Sequence, residues 1–219
     1  MGRGAQESSG AVVASRFDPQ TGAERYEHKG VTIEIVPDPE PLNPRDYDNA
    51  TTFYCWHPNY QLGDQQFTRD DYDSMEEVFA EIKAKGALAI TPLFLYDHSG
   101  LSVSLGQTWY PGDDAPDTDT RGHNPFDSAG WDTTMIGFAY VSPEHVATTG
   151  IGTDRDSLRE AAVSELQEYN DYLQGNCWGY VVAPDTEEEE SCWGFLGEPE
   201  YCKQEAENIA ESIAAEPVE

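Results

Sequence analysis

Acidic side chains outnumber basic ones by 42 to 12 in this chain of 219 residues, and a folded structure has to keep most of these carboxylates in water. Residues 1–30 carry four acids and four bases, so the whole net charge of −30 lies on residues 31–219. Only four of the twelve bases are lysines. Any fold of this chain is therefore a modest apolar core inside a strongly negative, lysine-poor surface.

Two explanations of this charge stay open. One is adaptation to salt, because the Debye length falls to about 3 Å at about 1 M salt and repulsion between surface carboxylates then almost disappears. The other is mimicry of DNA, in which carboxylates take the place of phosphates in the basic groove of a nucleic-acid-binding protein. Disorder is disfavoured because apolar periodicity runs through most of the chain. Neither explanation favours direct contact with nucleic acid.

The apolar segments are short. None approaches the roughly 18 residues that a membrane-spanning helix needs. Residues 1–22 lack the continuous apolar stretch of a secretory signal. We therefore expect a cytoplasmic protein that does not contact membranes and whose four cysteines are reduced.

The hydrophobic pattern predicts strands in neighbouring pairs, followed by helices. Predicted strands cover residues 31–36, 51–57, 87–96, 101–105 and 135–142. One predicted helix runs from a cap at Asp73 or Ser74 to Gly86, and two others cover residues 156–175 and 202–215. This order favours an α+β fold, in which an antiparallel sheet built from hairpins carries about three helices.

The composition divides the chain simply. Residues 1–30 are polar and rich in small side chains, and we assign them to a mobile tail. Residues 31–215 are assigned to a single α+β domain. Within it, residues 106–130 are rich in Gly, Pro and Asp and form a long loop.

A doubled Cys-Trp-Gly segment, NCWGYVVAPD followed by SCWGFLGEPE, raises three alternatives: a disulfide, a zinc site or a hairpin. A hairpin of strands 177–183 and 191–196 separates Cys177 from Cys192 by about 13 Å, and a disulfide needs Cα atoms within about 7 Å. The cysteine spacings of 15 and 10 residues do not fit a structural zinc site. We interpret the segment as a hairpin in which both cysteines are small core residues.

Histidine and aspartate occur together in three segments, CWHPNYQLGD (55–64), YDHSG (96–100) and WD (131–132). Imidazole and carboxylate groups are the ligands of hydrolytic metal centres. A divalent-metal site is therefore one hypothesis, although each residue can equally fix a loop, and our main interpretation needs no cofactor. The candidate ligands are His57, Asp64, Asp97, His98 and Asp132.

Two runs of acids are the candidate binding surface for a partner. A contiguous acidic stripe with phosphate-like spacing is what DNA mimicry requires. The candidate residues are Asp70, Asp71, Asp73, Glu76, Glu77, Glu187, Glu188, Glu189 and Glu190.

The order of several motifs resembles an uncharacterised family of small proteins encoded by tailed phages, archaeal viruses and mobile elements. The motifs are NPRDYDN (43–49), CWHPNYQLGD, PLFLYDHSG (92–100), WDTTMIGFAYVS (131–142), YNDYLQGNCWGY (169–180) and SCWGFLG (191–197). The chain departs from the family pattern at Tyr47, Gln61 and residues 133–136. The resemblance points to polar positions Arg45, Asp48, Asn49, His57, Asp64, Asp97, His98 and Asp132.

These observations lead to one main expectation and two alternatives. We expect an acidic accessory protein of a virus or mobile element, in the cytoplasm of a salt-loving host, that binds a host protein. One form of this expectation is a host protein that binds nucleic acid and an anti-defence role through mimicry of DNA. The alternatives are a metal-dependent hydrolase with the Asp/His site and a component of the virion.

Overall fold

The computed structural model describes residues 15–112, 130–184 and 186–215. The chain divides into two compact units, residues 1–41 with 177–219 (unit 1) and residues 42–176 (unit 2). We had assigned residues 31–215 to one domain. Most of the loop predicted over residues 106–130 and half of the predicted tail lie outside the described residues.

Unit 1 is a five-stranded antiparallel sheet with the strand order β1-β2-β3-β9-β10 and one long helix, α4. Its elements are β1 (Arg16–Phe17), β2 (Glu24–His28), β3 (Val31–Pro37), β9 (Cys177–Val182), β10 (Glu190–Leu196) and α4 (Glu200–Ala215).

Alternation along the strands builds the core of unit 1. Ile33 and Ile35 of β3 are buried, and they lie beside Val182 and Tyr180 of the neighbouring strand β9. The buried face of α4 consists of small residues spaced four apart, Cys202, Ala206 and Ala210. Small side chains let the helix axis approach the sheet closely. The larger Ile209 and Ile213 are partly buried and pack against the same cluster.

Part of the predicted tail is ordered into this sheet. Strands β1 and β2 lie within residues 16–28, and β2 pairs along its length with β3. The sequence of β2 is mostly polar, but Tyr26 packs against the core of unit 1. Its pattern of alternating burial is that of a strand with one face in water.

Unit 2 is a second five-stranded sheet, with the order β5-β4-β8-β6-β7 and three helices. Its elements are β4 (Thr52–Cys55), β5 (Gln65–Gln66), α1 (Met75–Ala84), β6 (Ala89–Asp97), β7 (Leu101–Leu105), β8 (Thr133–Val141), α2 (Pro143–Thr149) and α3 (Arg155–Gln174). All pairs are antiparallel except the two-residue pair of β4 with β5.

Three apolar clusters pack against this sheet, and β6 contributes residues to each of them. Strand β6 is buried at seven consecutive positions, as expected for a strand covered on both sides. Leu93 and Leu95 belong to a cluster that includes Tyr169 of α3, whereas Ile90 belongs to a cluster that includes Phe79 of α1.

The helix ends follow local signals. Ser74 caps α1 by accepting a hydrogen bond from the amide of Glu77, and Gly175 ends α3 in the left-handed conformation. Helix α2, which we did not predict, is capped by Ser142, has a proline in its first turn and is followed by Gly150 in the left-handed conformation. The described residues thus contain four α-helices, one more than predicted, and two sheets; the α+β class is confirmed.

The doubled segment is the predicted hairpin. Cys177 pairs with Leu196 and Cys192 with Tyr180, and the register shifts between Cys192 and Phe195. One prediction about it was wrong: Cys177 is buried but Cys192 is exposed. Strand β10 lies at the edge of the sheet, and its residues 190–194 are exposed.

No helix among the described residues has the length and apolar character that crossing a membrane requires.

Candidate functional site

Arg45 is the most deeply buried charged side chain described in unit 2, with 1% of it exposed. It lies in a short 3₁₀ turn, Pro44–Asp46, that follows a proline-rich stretch. Asn43 caps this turn by accepting a hydrogen bond from the Arg45 amide, and Pro44 supplies a φ angle suited to its first position. The turn directs the guanidinium inward.

Two carboxylates from distant parts of the chain neutralise Arg45. Its Nε and Nη2 atoms donate to the two oxygens of Asp64 at 2.6 and 2.9 Å, and Nη1 donates to Glu165 at 3.0 Å. Nη2 also donates to the carbonyl of Thr51, and the guanidinium lies 3.9 Å from the centre of the Phe53 ring. Burial by itself lowers the pKa of Arg45, but these hydrogen bonds and charges outweigh it and raise the pKa.

The same carboxylates also hold the backbone that leads into β4. Asp64 accepts from the Phe53 amide at 2.6 Å, and Glu165 accepts from the amide of Ala50 at 2.6 Å and of Thr51 at 3.2 Å. The Thr51 hydroxyl donates to Glu165 as well. The network therefore joins the 3₁₀ turn, β4 and α3, and its first role is to hold unit 2 together.

Glu165 is the member of this network that the sequence analysis missed. It lies on the buried stripe of α3, seven residues after Leu158, three after Ala162 and four before Tyr169. An acid in an otherwise apolar stripe is a signal of a buried partner. Arg45 and Asp64 are both positions to which the family resemblance points, and the structure brings them together.

Asp64 was predicted as a metal ligand, but its carboxylate is engaged by Arg45 and the Phe53 amide. The other four candidates form contacts with one another or with Tyr60. The Tyr60 hydroxyl donates a hydrogen bond to the Asp97 carboxylate at 2.9 Å, and the Tyr60 ring stacks on the His57 ring with 4.8 Å between their centres. The Nδ1 atom of His98 lies 3.3 Å from the Asp132 carboxylate. The Asp97 amide donates to the Asp132 carbonyl at 3.0 Å.

This polar cluster lies where β6 ends and β8 begins. The His98 and Asp132 side chains are 65% and 42% exposed, and the hydrogen bond to Asp97 raises the pKa of Tyr60. Its contacts connect these residues in a chain through Tyr60, Asp97 and Asp132. Within the described ranges, no three His, Cys, Asp or Glu side chains converge as metal ligands would.

The predicted acidic residues 70–77 surround the start of α1 and are all exposed. Two of them have local roles. Asp71 accepts from the amide and hydroxyl of Thr68, which lowers its pKa, and Glu77 accepts from the Asp73 amide. Asp70 and Glu76 make no hydrogen bond or ion pair with another described side chain.

The second acidic run, Glu187–Glu190, belongs to unit 1 and is exposed between β9 and β10. Glu190 begins β10 and pairs with Val182. The two runs therefore lie on different units, and a single stripe that includes both stays a prediction.

The cysteines do not form disulfides with one another. Burial raises the pKa of all three buried thiols, to about 11 for Cys177 and about 12 for Cys202. A thiol with a raised pKa is a poor nucleophile at neutral pH.

No family model matches the chain, and no curated protein and no solved structure matches it either.

Proposed function

We propose that the protein is an acidic accessory protein that binds a basic surface of another protein, with the segment Asp70–Glu81 of unit 2 at the centre of the interface. The observation that carries the proposal is the charge of this segment: it contains six acids and no base. Five of the six are the exposed candidates around the start of α1.

The segment is suited to binding because it rests on a rigid base. Val78, Phe79 and Ile82 bury the other side of α1 in the core of unit 2. Asp71 and Glu77 are further held by hydrogen bonds to the backbone. Fixed charges lose little conformational entropy on binding, and an extended negative field accelerates association with a basic partner.

The resemblance to viral and mobile-element proteins supports a place in the cytoplasm of an infected host, and the net charge of −30 supports a salt-loving host. A nucleic-acid-binding protein of that host is the partner whose surface is most complementary to clustered carboxylates. An anti-defence role by mimicry of DNA follows if that partner normally holds phosphates.

Binding is tested by capture of host proteins on the immobilised full chain, with the captured proteins identified by mass spectrometry. The variant Asp70→Lys/Glu76→Lys reverses two charges that have no structural partner, and we expect it to lose basic partners without unfolding. Glu160→Lys, an exposed reversal on α3, is the control and should retain them. Capture of the same proteins by all three chains would refute the proposal.

Thermal unfolding between about 0.1 M and about 3 M KCl separates binding from salt adaptation. A chain that folds only in molar salt carries its charge as an adaptation to solvent, and the argument from mimicry then loses its main support. If the chain is stable at low salt, the acidic segment Asp70–Glu81 stays a candidate binding surface for a partner.

A metal-dependent hydrolase is the second candidate, because His57, Asp97, His98 and Asp132 lie in one polar cluster around Tyr60. It predicts uptake of Mn²⁺ or Zn²⁺ by titration calorimetry. His98→Ala should abolish the uptake, whereas His28→Ala, a change at a histidine of unit 1 paired with Glu211, should not. An unaltered chain that takes up neither ion rules the candidate out.

A further inference from the structure

A cavity of about 460 Å³ opens above the Arg45 network of unit 2. It is bounded by the segment around the 3₁₀ turn, by the start of β4 and by α2. We call it the Thr52 cavity, after a buried threonine in its wall. Its volume lies in the range of cavities that hold small molecules or single large side chains.

Arg45 does not make this cavity a site for anions. A guanidinium has five N–H groups, and four of those of Arg45 donate to Asp64, Glu165 and the Thr51 carbonyl. One positive charge here faces two carboxylates, so the network itself carries a net charge of about −1. Asp48 and Glu144 add two carboxylates to the lining. The cavity is negative despite its arginine.

Four neutral side chains of the lining present acceptors, and the lining also contains the Gln65 amide and the His145 ring. The hydroxyls of Thr148 and Thr149 donate to carbonyls one turn earlier in α2, and the Thr51 hydroxyl donates to Glu165. The amide nitrogen of Asn49 donates to two backbone carbonyls, at 3.0 and 2.8 Å. With these hydrogens engaged, the remaining lone pairs accept hydrogen bonds. A ligand that fits these acceptors and the carboxylates therefore carries several N–H donors and a positive charge.

Tyr47 adds an aromatic surface to the same lining and is 59% exposed. A planar guanidinium stacks on aromatic rings and is more weakly hydrated than an ammonium group. The five N–H donors of a guanidinium group also suit a lining of several acceptors better than the three donors of an ammonium group, which lie on a single nitrogen. The combination of aromatic ring, carboxylates and hydroxyl acceptors distinguishes this cavity from an exposed acidic surface.

We infer that the Thr52 cavity is a binding site for a guanidinium group, as carried by an alkylguanidine or an arginine side chain. This inference is independent of the proposed role of the segment Asp70–Glu81. It assigns to Tyr47, Asp48 and Glu144 the recognition of the cation, and to Arg45, Asp64 and Glu165 the support of the cavity floor.

The test is a titration of the full, ¹⁵N-labelled chain with butylguanidinium, butylammonium and butanol at constant ionic strength, followed by amide chemical shifts. We expect saturable shifts confined to residues 47–52, 64–65 and 144–149, with butylguanidinium the tightest ligand. Equal or tighter binding of butylammonium, or shifts spread over the acidic surface, would overturn the inference.

Matched variants locate the site. Tyr47→Leu and Glu144→Gln should each weaken butylguanidinium about two- to fivefold, the effect of losing one partly exposed contact to a cation. The controls make the same changes outside the cavity, Tyr201→Leu and Glu160→Gln, at side chains that are also exposed. Affinities that do not differ between the variants and their controls would refute the assignment.

Discussion

Replacement of Arg45 by methionine removes the centre of the ionic network while keeping an unbranched side chain of similar length. Asp64 and Glu165 remain, with 18% and 14% of their side chains exposed. Both carboxylates are then left without their cation in a poorly hydrated part of unit 2. We expect a large loss of stability confined to this unit.

The magnitude follows from the contacts. Three of the four hydrogen bonds made by Arg45 join it to carboxylates, and each such bond contributes about 1.5–3 kcal/mol. The carboxylates keep their backbone donors and gain some water, so the full sum is not lost. Removing one partner of a buried ion pair costs about 3–5 kcal/mol, and we expect Arg45→Met to lie in this range.

Urea unfolding at constant KCl, together with hydrogen exchange, measures the effect. The amides of Ala50 and Phe53 donate directly to the two carboxylates and should exchange faster in the variant. Arg16→Met makes the same change in net charge at an exposed position and should alter stability by less than about 0.5 kcal/mol. If Arg45→Met destabilises unit 2 no more than this control does, the network does not hold the unit together.

Three further predictions concern other parts of the chain. Gly137→Ala should destabilise unit 2 by about 2–4 kcal/mol in urea unfolding, because φ is 149° at this position and a Cβ atom would lie 2.0 Å from a carbonyl oxygen of β4. A variant as stable as the unaltered chain would contradict the packing of β8 on β4. A thiol reagent should modify Cys192 first in the native chain, because Cys192 is the exposed cysteine. Mass spectrometry of peptides measures the order of modification, and equally fast modification of the buried Cys55 would contradict the prediction. The hydrogen bond from Lys203 lowers the pKa of Glu24, so this carboxylate stabilises the fold above its unfolded pKa and the contribution is lost as pH falls through the lowered folded value. The stability gap between Glu24→Gln and the unaltered chain should therefore be present at neutral pH and close below about pH 4 in unfolding experiments, and a gap that widens in acid would contradict the assignment.

Several features that depend on neighbours in sequence were predicted correctly. The cap at Ser74 and the stop at Gly175 lie where the sequence indicates, because each is set by contacts within one helical turn. The doubled segment formed the predicted hairpin because its two strands follow one another in the sequence. Helix α2 carried equally local signals, a serine cap, a proline in the first turn and a glycine stop, and was predictable from them.

The candidate site was only partly predictable. Asp64 was assigned to a metal because its partner Arg45 lies 19 residues away and Glu165 a further 101 residues along. A carboxylate has the same appearance in sequence whether a metal, an arginine or water neutralises it. Four of the residues proposed as metal ligands lie in the polar cluster around Tyr60, but their contacts with Tyr60 and with one another were not predicted.

The sequence alone therefore determined most of the segments that form helices and strands, and that the surface is acidic, because backbone preference and charge are local properties. The tertiary structure alone decided that β8 lies between β4 and β6, that residues 16–28 join a sheet and that Cys192 faces water. An alternating pattern shows that one face of a strand is buried, but it does not identify the neighbouring strand. The burial of Arg45 required carboxylates from distant segments to converge, and only the packed chain shows that convergence.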